Sequence, residues 1–234
     1  MHGLGTAINI ITVLIGTTFG LLLRSKLNEA YQSIILQGIG LLTIVIGMQM
    51  ALKTENILVL LASVVLGGLL GQYIRIDYRL ERLAGSFKKK YARDGDTYFS
   101  EGFITASIIF CVGPMTILGS LNDGLYGNYD LLALKSVLDG FTSIALAASF
   151  GIGVIFSIVT IIVVQGGITF AALFIEQALS NMMVTEMTAV GGVLIVGIGI
   201  VILNIKKINV ANFLPAIILA PMITALYQYV QSII

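Results

Sequence analysis

Two charged residues inside an apolar run are the best placed in this sequence to do chemistry. In LLALKSVLDGFTS, Lys135 and Asp139 stand four positions apart, so a helix carries them on one face. Asp139 lies eight residues past the start of its run at Leu131, about 12 Å deep at 1.5 Å per residue. A charge at that depth costs about 2.5–3.5 kcal/mol on insertion scales unless it is paired or hydrated. Mutual neutralisation of the two is the structural reading. The functional one makes Asp139 a cation or proton site and Lys135 its partner or an anion contact. Ser136, Thr142 and Ser143 share the stretch and favour a pathway through it.

Around this pair, helix-weakening residues fall inside other apolar runs. CVGPMTILGS contains Gly113 and Pro114, where a missing backbone donor predicts a kink or an unwound turn. VVQGGITF contains Gln165, Gly166 and Gly167, and IGTTFG contains Thr17 and Thr18 beside Gly16. Pro221 predicts a further break in the last run. Discontinuous helices expose backbone groups that can coordinate an ion or a polar solute. The polar stretch GSLNDGLYGNYD suggests a loop, with Asn122 and Asp123 at the outer mouth of the same cavity.

Other chemistries lack their residues. His2 is the only imidazole and Cys111 the only thiol, so a zincin, a Ser-His-Asp triad or an intramolecular disulfide has nothing to use. No metal site and no cofactor is implied, and an enzyme is the least favoured class. A net charge of +1 carries no nucleic-acid footprint.

The elements that must position the pair follow from composition. The 234 residues are 57% hydrophobic and 11% charged, where a soluble domain carries about 25% charged residues. Twelve of the 25 charges lie between Arg75 and Glu101. Eight apolar runs long enough to cross a bilayer occupy residues 4–23, 31–52, 57–76, 98–119, 131–151, 152–175, 185–203 and 211–233. The expected architecture is an all-α polytopic bundle forming one integral-membrane domain over 1–234. The first run reads as a permanent span, not a signal peptide. Glycines alone divide the fifth run from the sixth near 150–153, and a re-entrant sixth segment would reduce the count to seven.

Eleven of the 13 basic residues border the connections after runs one, three, five and seven, which the positive-inside rule places in the cytoplasm. Both termini then face outward, and a seven-span chain would put Lys206 and Lys207 on the wrong side. In the basic cytoplasmic segment 77–97, Leu80, Leu83 and Phe87 recur at helical spacing with Tyr73 and Ile76. This suits an interfacial helix whose basic face meets the lipid bilayer, with a regulatory or partner-docking element as the alternative. Gly16-x-x-x-Gly20 and Gly67-Gly68-x-x-Gly71 suit helix packing or homo-oligomer formation.

Self-similarity suggests inverted-topology repeats. A shift of 153 positions pairs Gly38/Gly191, Leu41/Leu194, Lys53/Lys206, Asn56/Asn209 and Leu61/Leu214, and a shift of 150 pairs Gly16/Gly166. Runs one to three would match runs six to eight upside down. A competing alignment sets QSIILQG at Gln32 over KSVLDG at Lys135, also inverted.

The strings VGPMTILGSLNDGL and LLALKSVLDGFTSIALAASFGIGVIFS, with the opening GTAINIITVLIGTTFGLLLRSKL, carry a resemblance. Over essentially its whole length the chain resembles the YqgA/YdfK-like family of bacterial inner-membrane proteins. That likeness implies the bacterial cytoplasmic membrane and supplies no substrate and no catalytic residue. From the residues, the leading expectation is a secondary transporter of a small polar or ionic solute, working by alternating access. A passive channel at an oligomer axis, or a membrane subunit docking a partner on Lys88–Lys90, are the rivals.

Overall fold

The computed structural model describes residues 2–24, 29–79, 82, 86, 98–111, 114–172 and 179–233. Gly113 lies outside the described residues, as do Leu80, Leu83, Phe87 and most of the basic segment. Among the described residues the regular structure is entirely helical. The elements are α1 (Leu4–Arg24), α2 (Glu29–Ala51), α3 (Ile57–Ile74), α4 (Phe99–Cys111), α5 (Pro114–Tyr126) and α6 (Asp130–Phe150). After α6 come a 3-10 segment (Gly151–Phe156), α7 (Ser157–Ile161), a π turn (Ile162–Gly166) and α8 (Gly167–Phe170). The chain ends with α9 (Asn181–Ile202), a 3-10 turn (Val210–Phe213) and α10 (Pro215–Ile233).

The protein is thus a polytopic helical bundle. Among the described residues five helical stretches are long and apolar enough to cross a bilayer, and α4 with α5, bent by 60°, would make a sixth if the pair is one span. One of the five is the 41-residue stretch Asp130–Phe170, which at 1.5 Å per residue would extend about 60 Å if straight. It is not straight. Gly151 takes φ 81 and ψ −152, a conformation open only to glycine, and the chain reverses there. Asp139 and Gln165, on opposite sides of that glycine, consequently reach the same Asn9 side chain.

The helix breaks differ in part from the sequence expectation. Pro114 opens α5 as expected of proline at a helix start. α10 runs through Pro221 unbroken, since a span tolerates one lost backbone bond where neighbours cover it. Gly166 and Gly167 keep helical dihedrals, and the disturbance appears as the π turn ending at Gly166. The stretch read as a polar loop after Gly119 is helical through Tyr126.

The chain forms two compact units, Met1–Ile39 with Glu81–Ala178, and Gly40–Leu80 with Leu179–Ile234. In the first unit α1 makes its most extensive packing against α6. The two run parallel, because Gly5 meets Leu132, Gly16 meets Gly140 and Gly20 meets Ile144 in rising order. A Cβ on Gly16 would lie 2.2 Å from the Gly140 carbonyl oxygen, so only glycine permits this approach. In the second unit α2 and α9 cross antiparallel through glycines, and α3 packs antiparallel on α10 around Gly67 and Ala216.

Candidate functional site

The polar residues of the first unit gather where α1, α6 and the π turn meet. On α1, Thr6 and Asn9 are one turn apart, and Thr17 follows on the same buried face. On α6, Lys135 and Asp139 form an ion pair one turn apart, with only 5% and 7% of each residue exposed. From the π turn comes Gln165, fully buried. Pairing offsets the desolvation that either charge would suffer alone.

Asn9 connects these elements. Its Nδ2 donates to Asp139 Oδ2 at 3.0 Å and to Gln165 Oε1 at 2.9 Å. Gln165 Nε2 in turn donates to Thr6 Oγ1 at 3.2 Å. The Lys135 ammonium donates to the same Asp139 Oδ2. Five side chains from three elements therefore form one connected network. Among the described residues Asn9 Oδ1 is buried in it with no hydrogen-bond partner. Such an atom costs about 1–3 kcal/mol while it stays unmet. Thr17 Oγ1, buried deeper along α1, also has no partner.

Other residues singled out in the sequence make no hydrogen bond to this network among the described residues. Thr18 is exposed and Thr142 half-buried, and their hydroxyls return to the Leu14 and Leu138 carbonyls of their own helices. Ser143 is buried beside Gly16 and donates to the Gly140 carbonyl at 2.7 Å. Gly166 faces Thr6, and Gly167 meets open space. Pro114 starts α5, apart from the ion pair in sequence, and Gly113 is not among the described residues.

Asp123 is not at an open mouth but completely buried. Its carboxylate accepts from Gly3 N and Gly5 N, both at 3.1 Å, and so caps the N-terminus of α1. An anionic group at a helix N-terminus satisfies orphan amides and complements the helix dipole, which explains its burial. His2 Nδ1 approaches the Asp123 carbonyl at 3.1 Å, tying the same end further. Asn122 is partly exposed, and its carbonyl accepts from Asn128 N at 3.3 Å.

Asn9 and Thr6 were absent from the sequence candidates. The available signal was a lone amide in the apolar run GTAINIITVL, at helical spacing from Thr6. An amide in a span is costly enough to need a partner. Among the described residues no three His, Cys, Asp or Glu side chains come together. What the cluster offers a ligand is amide and hydroxyl oxygens with one carboxylate, alongside one ammonium.

The family model described as "Protein of unknown function (DUF554)" matches residues 4–225. The chain is 32% identical over 223 residues to the "Uncharacterized membrane protein YdfK" of Bacillus subtilis, covering 94% of each chain. It is 29% identical over 229 residues to the "Uncharacterized protein YqgA" of Escherichia coli, covering 95% of this chain and 96% of that one. No solved structure matches. An all-helical membrane chain matched from its first span into its last belongs to the DUF554 family.

Proposed function

We propose that this protein is a secondary transporter of a small polar or ionic solute in the bacterial cytoplasmic membrane, coupled to an ion or proton at Asp139. The observation that carries the reading is the buried network of Asp139, Lys135, Asn9, Gln165 and Thr6, in which an acceptor oxygen is left unmet. Packing alone needs no buried charged pair, and ionisable groups within spans mark solute and ion pathways. The π turn supports the reading too, since such irregular turns occur frequently at functional sites.

Inverted repeats belong to the same proposal, and the second unit supplies support. Gly40 approaches Leu203 and Ile202, while Gly192 approaches Ala51 and Met50. Gly47 approaches Val196 and Gly192, while Gly199 approaches Ile44 and Gly40. Moving every residue of one contact by 152 positions gives the other contact with the order reversed. That reciprocity is what a two-fold axis between antiparallel copies produces, in a register one residue from the sequence alignment. Alternating access by exchange of the two copies' conformations then follows naturally from the symmetry.

The test uses protein reconstituted in proteoliposomes, with the solute taken from metabolites retained through purification. Asp139→Asn is expected to abolish gradient-driven uptake while the protein still inserts. The Lys135→Met/Asp139→Asn double variant is expected to stay inactive at normal stability. Full activity in the double variant would reduce the pair to a structural lock and sink the coupling role. Orientation is tested separately in a Cys111→Ser background. A cysteine at the exposed Asn128 should label from outside, and one at Ser86 only after permeabilisation.

A further inference from the structure

The oxygens that the network leaves open identify a ligand class. Both bonds that the Asp139 carboxylate accepts, from Lys135 Nζ and Asn9 Nδ2, fall on Oδ2, and Oδ1 takes neither. Asn9 Oδ1 is buried without a donor. Gln165 Oε1 accepts from Asn9 and retains its second lone pair, and Thr6 Oγ1 accepts from Gln165. Amide carbonyl, carboxylate and hydroxyl oxygens are the ligands of hard metal cations. One carboxylate supplies one negative charge, which a monovalent ion neutralises and a divalent ion exceeds.

We propose that Asn9, Asp139 and Gln165 form a site for a dehydrated sodium-class cation, with the Lys135 ammonium as the tethered cation that occupies it in the ion's absence. This rests on the transporter reading and names its coupling ion. Electrostatics requires exchange instead of addition. With Lys135 in place the pair is neutral, so an added ion would leave one positive charge uncompensated in a low-dielectric setting. Lys135 stands five residues after the first residue of α6, about 7.5 Å along the axis, within reach of its aliphatic stem. Its ammonium can therefore withdraw toward the aqueous end when the ion arrives. Asp139 then carries one positive partner in both states.

Removing a buried lysine should improve ion binding. Purified protein in detergent is titrated with sodium chloride against choline chloride at fixed pH and ionic strength, following thermal stability and bound radioactive sodium. Sodium alone should stabilise the wild type and saturate. Lys135→Met should bind sodium about tenfold more tightly, because a tether filling the site most of the time lowers apparent affinity by the open fraction. The Lys135→Met/Asp139→Asn double variant, which leaves no stranded charge to prevent folding, should not bind, and Asn9→Leu in the Lys135→Met background should weaken binding. Absence of a sodium-specific response, or Lys135→Met binding no better than wild type, would overturn the inference. If uptake then proves proton-driven and dependent on Asp139, the transporter reading survives alone. Sodium binding without uptake of any retained metabolite would instead uphold the site and remove the carrier.

Discussion

Glu186 and Asp139 are both carboxylates buried among apolar helices, one in each compact unit, yet their surroundings are opposite in kind. Glu186 accepts from Thr54 Oγ1 at 2.7 Å, Glu55 N at 2.8 Å and Asn56 N at 2.9 Å. Its oxygens thereby supply the turn that leads into α3, where Asn56 caps the next amides through Leu58 and Val59. Among the described residues Asp139 accepts on Oδ2, which it shares between an ammonium and an amide. Backbone donors hold Glu186 as a fixed structural anchor. Side-chain donors alone hold Asp139 among the described residues, an ammonium and an amide.

The contrast extends to the neighbouring polar groups. Ser63, Thr188 and Thr224 in the Glu186 unit return their hydroxyls to carbonyls one turn back, and Asn212 pairs with Gln72 and Asp77. Every buried side-chain atom without a partner among the described residues belongs to the Asp139 unit: Asn9 Oδ1, Thr17 Oγ1, Ser120 Oγ, Ser149 Oγ and Thr169 Oγ1. Folding alone disfavours such atoms, because each forfeits hydrogen bonds it made in water. Their concentration in one unit is the difference that the proposed ligand site would account for.

The sharpest way to break this comparison is to strand a charge. Asp139→Asn leaves the Lys135 ammonium buried and unpaired, an expected loss of about 3–5 kcal/mol by thermal unfolding in detergent. Adding Lys135→Met should recover most of it; a double variant as unstable as the single one would show that the pair does not set the cost. Glu186→Ala should cost about 3 kcal/mol, because three donors lose their acceptor at once. Transport per folded molecule should be unchanged, and its loss at full stability would give Glu186 a functional role and erase the contrast.

Two hydroxyls sharpen the comparison at smaller scale. Thr54→Val deletes a bond to a carboxylate and should destabilise by about 1.5 kcal/mol. Thr17→Val deletes no bond, so stability should hold or rise by up to about 1 kcal/mol. Equal losses in the two variants would mean that Thr17 is satisfied and that the unit's open polarity is overstated. Melting temperatures of the two variants, read side by side, decide it.

How far the site was legible differs residue by residue. Lys135 and Asp139 pair within one helix, where a four-residue spacing fixes the geometry before any tertiary contact forms. Gln165 was identifiable as a polar residue in a weak part of a span, but its partner was not. Asn9 lies 130 positions from Asp139 and 156 from Gln165, and no local pattern encodes those meetings. Asp123 looked like a loop residue because its neighbours are polar and glycine-rich. The sequence held no sign that the amides of α1's first turn would need its carboxylate.

Length, hydropathy and charge placement by themselves determined that this is a helical, multi-pass membrane chain, because a bilayer core admits only backbones that satisfy their own hydrogen bonds. They also picked out the charged pair that the structure buries and the glycine-marked reversal after Phe150. Only the tertiary structure decided which polar groups that reversal brings together. Glycine contacts let α1 lie directly on α6, and the left-handed Gly151 returns Gln165 to the level of Asp139. Apolar burial is non-directional and can be read as a sum along the chain, whereas a hydrogen bond exists only between atoms about 3 Å apart. The spans follow from the first kind of interaction, and the site follows from the second.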